Sequence, residues 1–79
     1  MQKNLAYHIV SHKDRDDLYA ELLGGDEQWG EIRLDRNGRE VLKIYPSRSG
    51  AGYEFELNDV FGLLKRAREH LLKVEGVEK

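Results

Sequence analysis

Along the first fifty-odd residues of this chain apolar and polar side chains alternate with a period of two, and toward the C-terminus the spacing changes to that of a helix. In residues 5–11, Leu5, Tyr7 and Ile9 share one parity, the pattern of a half-buried strand. Residues 12–17 are polar, with Asp14, Asp16 and Asp17 bunched together, and read as a turn. In residues 18–23, Leu18, Ala20 and Leu22 alternate against Tyr19 and Glu21. Ala, Glu and Leu also favour a helix, and Asp16 would cap one, so strand and short helix compete here. Gly24-Gly25 cuts the run to a length that suits a strand.

Residues 30–34 and 39–45 flank Asp35-Arg36-Asn37-Gly38. Asn-Gly tolerates the positive φ of a tight connection, so these two runs form a β-hairpin. Pro46 ends the second strand because proline has no N–H for a ladder. A loop follows at 47–52, and residues 53–57 alternate as a fifth strand, Tyr53, Phe55 and Leu57 against Glu54 and Glu56. Asn58 or Asp59 then caps a helix over about residues 58–75 that Gly76 stops. Val60, Leu63, Leu64, Ala67, Leu71 and Val74 fall on one stripe of it, with Phe61 and Leu72 at the edge and Lys65, Arg66, Glu69 and Lys73 opposite.

These elements predict an α+β fold: an antiparallel β-meander of four to five strands, over about residues 4–57, with one C-terminal amphipathic helix on one face. The helix is expected to cover the face that carries Ile32, Leu34, Leu42, Ile44, Tyr53, Phe55 and Leu57. Seventy-nine residues make one domain, 1–79. A chain of this size buries only about 60% of its unfolded surface, which leaves little room for a deep walled pocket.

Composition narrows the functional classes. No cysteine is present, so disulfides and thiolate metal sites are excluded, and a reducing, cytoplasmic location is expected. The first residues lead into alternating sequence and not an apolar block, and no run approaches the roughly 18 apolar residues of a membrane span, so neither a secretory signal nor a membrane partner is expected. Charged residues are 35% of the chain, yet the net charge is −2, against a protein that mainly coats nucleic acid. Basic residues are concentrated in the middle: residues 31–52 carry five basic and three acidic side chains, residues 1–30 three and six.

The candidate chemistry is thin. His8 and His12 would stand roughly 13 Å apart on a strand, too far to share an ion, and His70 has no second ligand at useful spacing. The 14–17 aspartates lack the glycine and closing glutamate of a calcium loop. Ser-Arg-Ser-Gly-Ala-Gly at 47–52 leads into a strand, whereas phosphate cradles lead into a helix. Ser11, Ser47 and Ser49 have no base at a recognisable spacing, and Glu54 and Glu56 would be solvated. No catalytic residue, metal or cofactor is assigned.

What remains is the second face of the sheet. Tyr19, Trp29, Arg33, Val41, Lys43 and Tyr45 are placed there, with His8, Val10 and Leu23, diluted by Glu21, Glu31, Glu54 and Glu56. A solvated face should be more polar than this. Tyr, Trp and Arg dominate protein interfaces, so a non-enzymatic protein-binding domain is expected, its partner a second copy in a homodimer or another protein. The alternative is single-stranded nucleic acid, with bases stacked on Trp29, Tyr19 or Tyr45 and phosphates on the basic 33–48 hairpin through Arg33, Lys43, Arg36, Arg39 and Arg48. The strand–loop–strand–helix ending over residues 41–72 resembles, by pattern and over under half of the chain, the single-stranded-DNA-binding domains of the transcriptional-coactivator family. It lacks that family's basic excess.

Overall fold

The computed structural model describes residues 4–11, 18–35 and 37–75. It contains four strands and one helix: β1 (Leu5–Ser11), β2 (Leu18–Gly24), β3 (Glu27–Leu34), β4 (Glu40–Ile44) and α1 (Leu57–Glu75). The sheet is antiparallel in the order β1-β2-β3-β4, a meander, with α1 packed on one face. Residues 18–24 are strand, so the competition with a helix is settled by pairing on both sides, to β1 and to β3.

The hairpin between β3 and β4 forms where Asn-Gly placed it. Gly38 takes the positive φ, 78°, and Asp35 organises the turn through its side chain. Its Oδ1 accepts from the N–H groups of Asn37 (2.9 Å) and Arg39 (2.8 Å), and its Oδ2 accepts from Arg39 Nε (3.0 Å). Between β2 and β3 a second tight turn uses Gly25 at φ 62°, and β3 starts at Glu27, three residues earlier than the pattern predicted.

β3 reaches back so far because it contains an irregularity. Leu22 pairs with Gly30 but Leu23 pairs with Gln28, which leaves Trp29 as an extra residue. A bulge of this kind puts two successive residues opposite one and breaks the strict alternation of faces. Gly30 fits there because a Cβ would meet the Lys43 carbonyl oxygen at 2.6 Å. Trp29 turns to the helix side and joins Ala20, Leu22, Ile32, Leu63, Ala67 and Leu71 in the buried core.

The fifth predicted strand does not form. Residues 53–56 make a single bridge at Phe55 and then enter the helix. Phe55 packs on Trp29 with ring centroids 4.7 Å apart, and Tyr53 stacks on Phe55 at 6.0 Å. Their alternation is real but serves to lay two rings over the end of the core. Glu56, not Asn58 or Asp59, caps the helix: its Oε1 accepts from Asp59 N–H (3.2 Å), and its carbonyl accepts the first helical bond, from Val60 (3.1 Å). Gly76, the predicted stop, lies outside the described residues.

The helix leans toward β1 and β2, reaches β3, and stops short of β4. On the β1 side Tyr7 and His70 meet edge to face, the phenol 3.0 Å from His70 Nδ1. On the β4 side the link is a forked ion pair in which Arg68 Nε and Nη2 donate to the two carboxylate oxygens of Glu40. That hydrogen-bonded carboxylate holds the Arg68 guanidinium above its ordinary pKa.

Candidate functional site

The sheet face away from the helix was expected to be an open contact surface. The ladder puts Val10, Tyr19, Arg33 and Val41 in one row across it, and His8, Glu21, Glu31 and Lys43 in the next. Trp29 is not there. It is 4% exposed in the core on the other side, because the bulge turned it over. Tyr19 is 9% exposed, seated directly between Val10 and Arg33. Glu31, predicted to dilute the apolar character of this face, is buried. Tyr45 donates its phenol to Glu31 Oε1 at 2.6 Å, Arg33 Nε lies 3.7 Å from Oε2, and the Lys43 ammonium stands 5.4 Å from the centre of the Tyr45 ring. Such a carboxylate is stable when hydrogen-bonded and costly when not, so these polar groups bind one another and tie β3 to β4.

The candidate anion contacts are scattered. Arg39 is tied to Asp35 within the hairpin, Arg48 is exposed on the 46–52 loop, and Arg36 lies outside the described residues. The loop turns its own donors inward: Ser47 Oγ accepts from Gly52 N–H (2.8 Å), Ser49 Oγ from Ala51 N–H (3.2 Å), and the Ser47 carbonyl from Gly50 N–H (3.2 Å). The N–H groups of Gly50, Ala51 and Gly52 are thus used within the loop. Of the three rings expected to stack bases, Trp29 and Tyr19 are buried, and Tyr45 is half-buried with its phenol on Glu31. The strand–loop–strand–helix ending is absent too, because residues 53–56 are not a strand.

Of the sequence's metal candidates, His12 and the 14–17 aspartates lie outside the described residues. His8 Nδ1 is 3.7 Å from Glu21 Oε1 across the β1–β2 ladder, and His70 is bonded to Tyr7. Among the described residues no group of three or more His, Asp or Glu side chains is gathered as metal ligands, and no helix is long and apolar enough to cross a membrane.

The exposed apolar surface is on the helix side, at β4. Leu42 and Ile44 were predicted to lie under the helix; they are 45% and 62% exposed. The reason is width. Four strands spaced about 4.8 Å apart are wider than the roughly 10 Å that one helix covers. Because α1 sits over β1 and β2, β4 is left bare. Between them runs an apolar groove of about 300 Å³, with Ile32 and Leu42 on the sheet, Leu64 and Lys65 on the helix, and the Glu40–Arg68 pair beside them. Leu57 and Phe61, 62% and 60% exposed, precede Leu64 and Arg68 at spacings of three and four, so they continue the same helical flank. Leu57, too, was expected in the core. These four exposed side chains present roughly 450 Å² of apolar surface if a fully exposed large side chain offers on the order of 200 Å². The width rule, applied to one helix and four strands, is the signal in the sequence that points to them.

No protein-family model, curated protein or solved structure matches this chain.

Proposed function

We propose that this chain is a non-enzymatic protein-binding domain, acting in the cytoplasm, whose contact surface is the β4 flank on the helix side of the sheet. The observation that carries it is the exposure of Leu42 and Ile44 on β4, with Leu42 lining an apolar groove and Leu57 and Phe61 exposed on the helix. Their summed area falls within the roughly 300–600 Å² of the largest apolar patch on a typical monomer, which is often functional. β4 is also an edge strand, and an edge with an apolar groove beside it offers a partner both backbone hydrogen bonds and pockets for side chains. The reading keeps the class of function expected from composition and moves the surface from one face of the sheet to the other.

The test is site-specific crosslinking in the cells that express the protein. A photoreactive amino acid at position 44 forms adducts with protein. The same group at position 8, on the opposite face and 67% exposed at its side chain, does not. Equal labelling at both positions, or none at 44, counts against the reading.

A further inference from the structure

The backbone of β4 specifies what the groove and its edge receive. Asp35 N–H donates to the Arg39 carbonyl and Tyr45 N–H to the Trp29 carbonyl, each at 2.9 Å. Bonded pairs alternate along an antiparallel ladder, so Val41 and Lys43 also bond inward, to Arg33 and Glu31. Glu40, Leu42 and Ile44 therefore turn their N–H and C=O groups outward, at the edge of the sheet. The side chains of Leu42 and Ile44 are the exposed apolar ones. β4 contains no proline and pairs with β3 without a bulge; Glu40 and Lys43 are the charges it carries as edge protection, and the register must accommodate them. The other edge, β1, has its helix-side residues packed under α1.

Resting on the binding reading above, we infer that the partner is a second copy of this chain, joined β4 to β4 in antiparallel register about a two-fold axis through Leu42. Two-fold pairing must place outward groups opposite outward groups, which limits the axis to a residue position and excludes the points between residues. Three positions keep most of the strand paired. An axis through Lys43 sets two lysines face to face and brings Pro46, which has no N–H, opposite Glu40. An axis through Val41 sets Lys43 against Arg39. Like charges directly opposite are destabilising, and a missing donor removes a bond. An axis through Leu42 avoids both. It sets Leu42 on Leu42, Glu40 opposite Ile44, Val41 opposite Lys43 and Arg39 opposite Tyr45, and it makes about six backbone hydrogen bonds.

Leu42 and Ile44 expose roughly 210 Å² of apolar surface on each copy, so even with the backbone of two strands added the contact stays below the roughly 1,200 Å² of standard interfaces, and the pairing is a weak one read at high concentration. The product is one eight-stranded sheet with both helices on the same side.

Sedimentation equilibrium across a concentration series tests this with the whole chain. The mass is expected to rise from 9.2 kDa toward twice that value. Position 44 is well exposed, so it accepts charge without loss of fold, and circular dichroism verifies that. Ile44→Asp sets a second carboxylate against Glu40 twice in each dimer and gives monomer. Ile44→Lys sets an ammonium against the same carboxylate and associates more strongly than Ile44→Asp. In the wild type, amide exchange at Leu42 and Ile44 slows as concentration rises, while that at Val41 and Lys43 does not change. A monomer at every concentration overturns the self-pairing, as does equal behaviour of the Asp and Lys variants. In that event crosslinks from position 44 to a different protein leave the binding reading standing, and absence of any crosslink removes it as well.

Discussion

Truncating Trp29 separates the two places this side chain could occupy. On the outer face of the sheet its removal would be nearly free, within about 0.5 kcal/mol, as for most surface changes. In the core it is not. A tryptophan buries on the order of 250 Å², and at about 25 cal/mol per Å² the transfer contribution reaches roughly 6 kcal/mol as an upper bound. Measured Trp→Ala and Phe→Ala losses in cores are about 3–5 kcal/mol, the range expected here with Phe55 left beside an empty space. A domain of this size has on the order of 4–12 kcal/mol in total, so Trp29→Ala removes a large part of it. With a urea slope near 1 kcal/mol per M, the midpoint falls by about 3 M or the protein is unfolded without denaturant. Trp29→Phe is milder. The indole N–H is buried with no hydrogen-bond partner among the described residues, and removing an unsatisfied donor recovers about 1–3 kcal/mol, which offsets part of the lost packing. Urea unfolding followed by circular dichroism measures all three proteins, and wild-type tryptophan emission, blue-shifted when folded, gives an independent reading. A Trp29→Ala loss below about 1 kcal/mol, or folded-state emission like that of free tryptophan, refutes the bulge and the packing that follows from it.

Gly30→Ala destabilises by roughly 1–3 kcal/mol because the new methyl meets a backbone carbonyl that cannot swing aside; a thermal midpoint equal to the parent's contradicts the register shift. Leu71→Ala, at a side chain 1% exposed, costs about 2–5 kcal/mol, whereas Leu64→Ala costs less because Leu64 is half-buried at the groove, and chemical denaturation of the pair tests how the helix is seated. Asp35 accepts the N–H of Arg39 and of Asn37 and pairs with the Arg39 guanidinium, which holds its pKa below the usual carboxylate value. Its folded pKa is thus lower than its unfolded one, so its contribution is present above about pH 4 and is lost as pH falls through the folded value. Melting the wild type and Asp35→Asn from pH 5 downward is expected to show a shallower acid decline in the variant; parallel curves exclude Asp35 as a source of it.

Local signals in the chain determined the elements. Alternation placed four strands, Asn37-Gly38 placed a hairpin, and a stripe through Leu63, Ala67 and Leu71 placed a helix and the side it buries. These are properties of neighbouring residues, set by the period of side chains on a strand or helix and by the φ that a turn requires. Three other features were decided only when the elements packed. One extra residue in β3 carried Trp29 from the outer face to the core, and a pattern of period two has no means of marking where its own parity changes. Tyr53 and Phe55 alternate as a strand would, but Glu56 began the helix beside them and their rings went to Trp29. The candidate surface arose last. Leu42 and Ile44 have the composition of core residues, and they are exposed because a single helix over β1 and β2 is too narrow to reach the fourth strand.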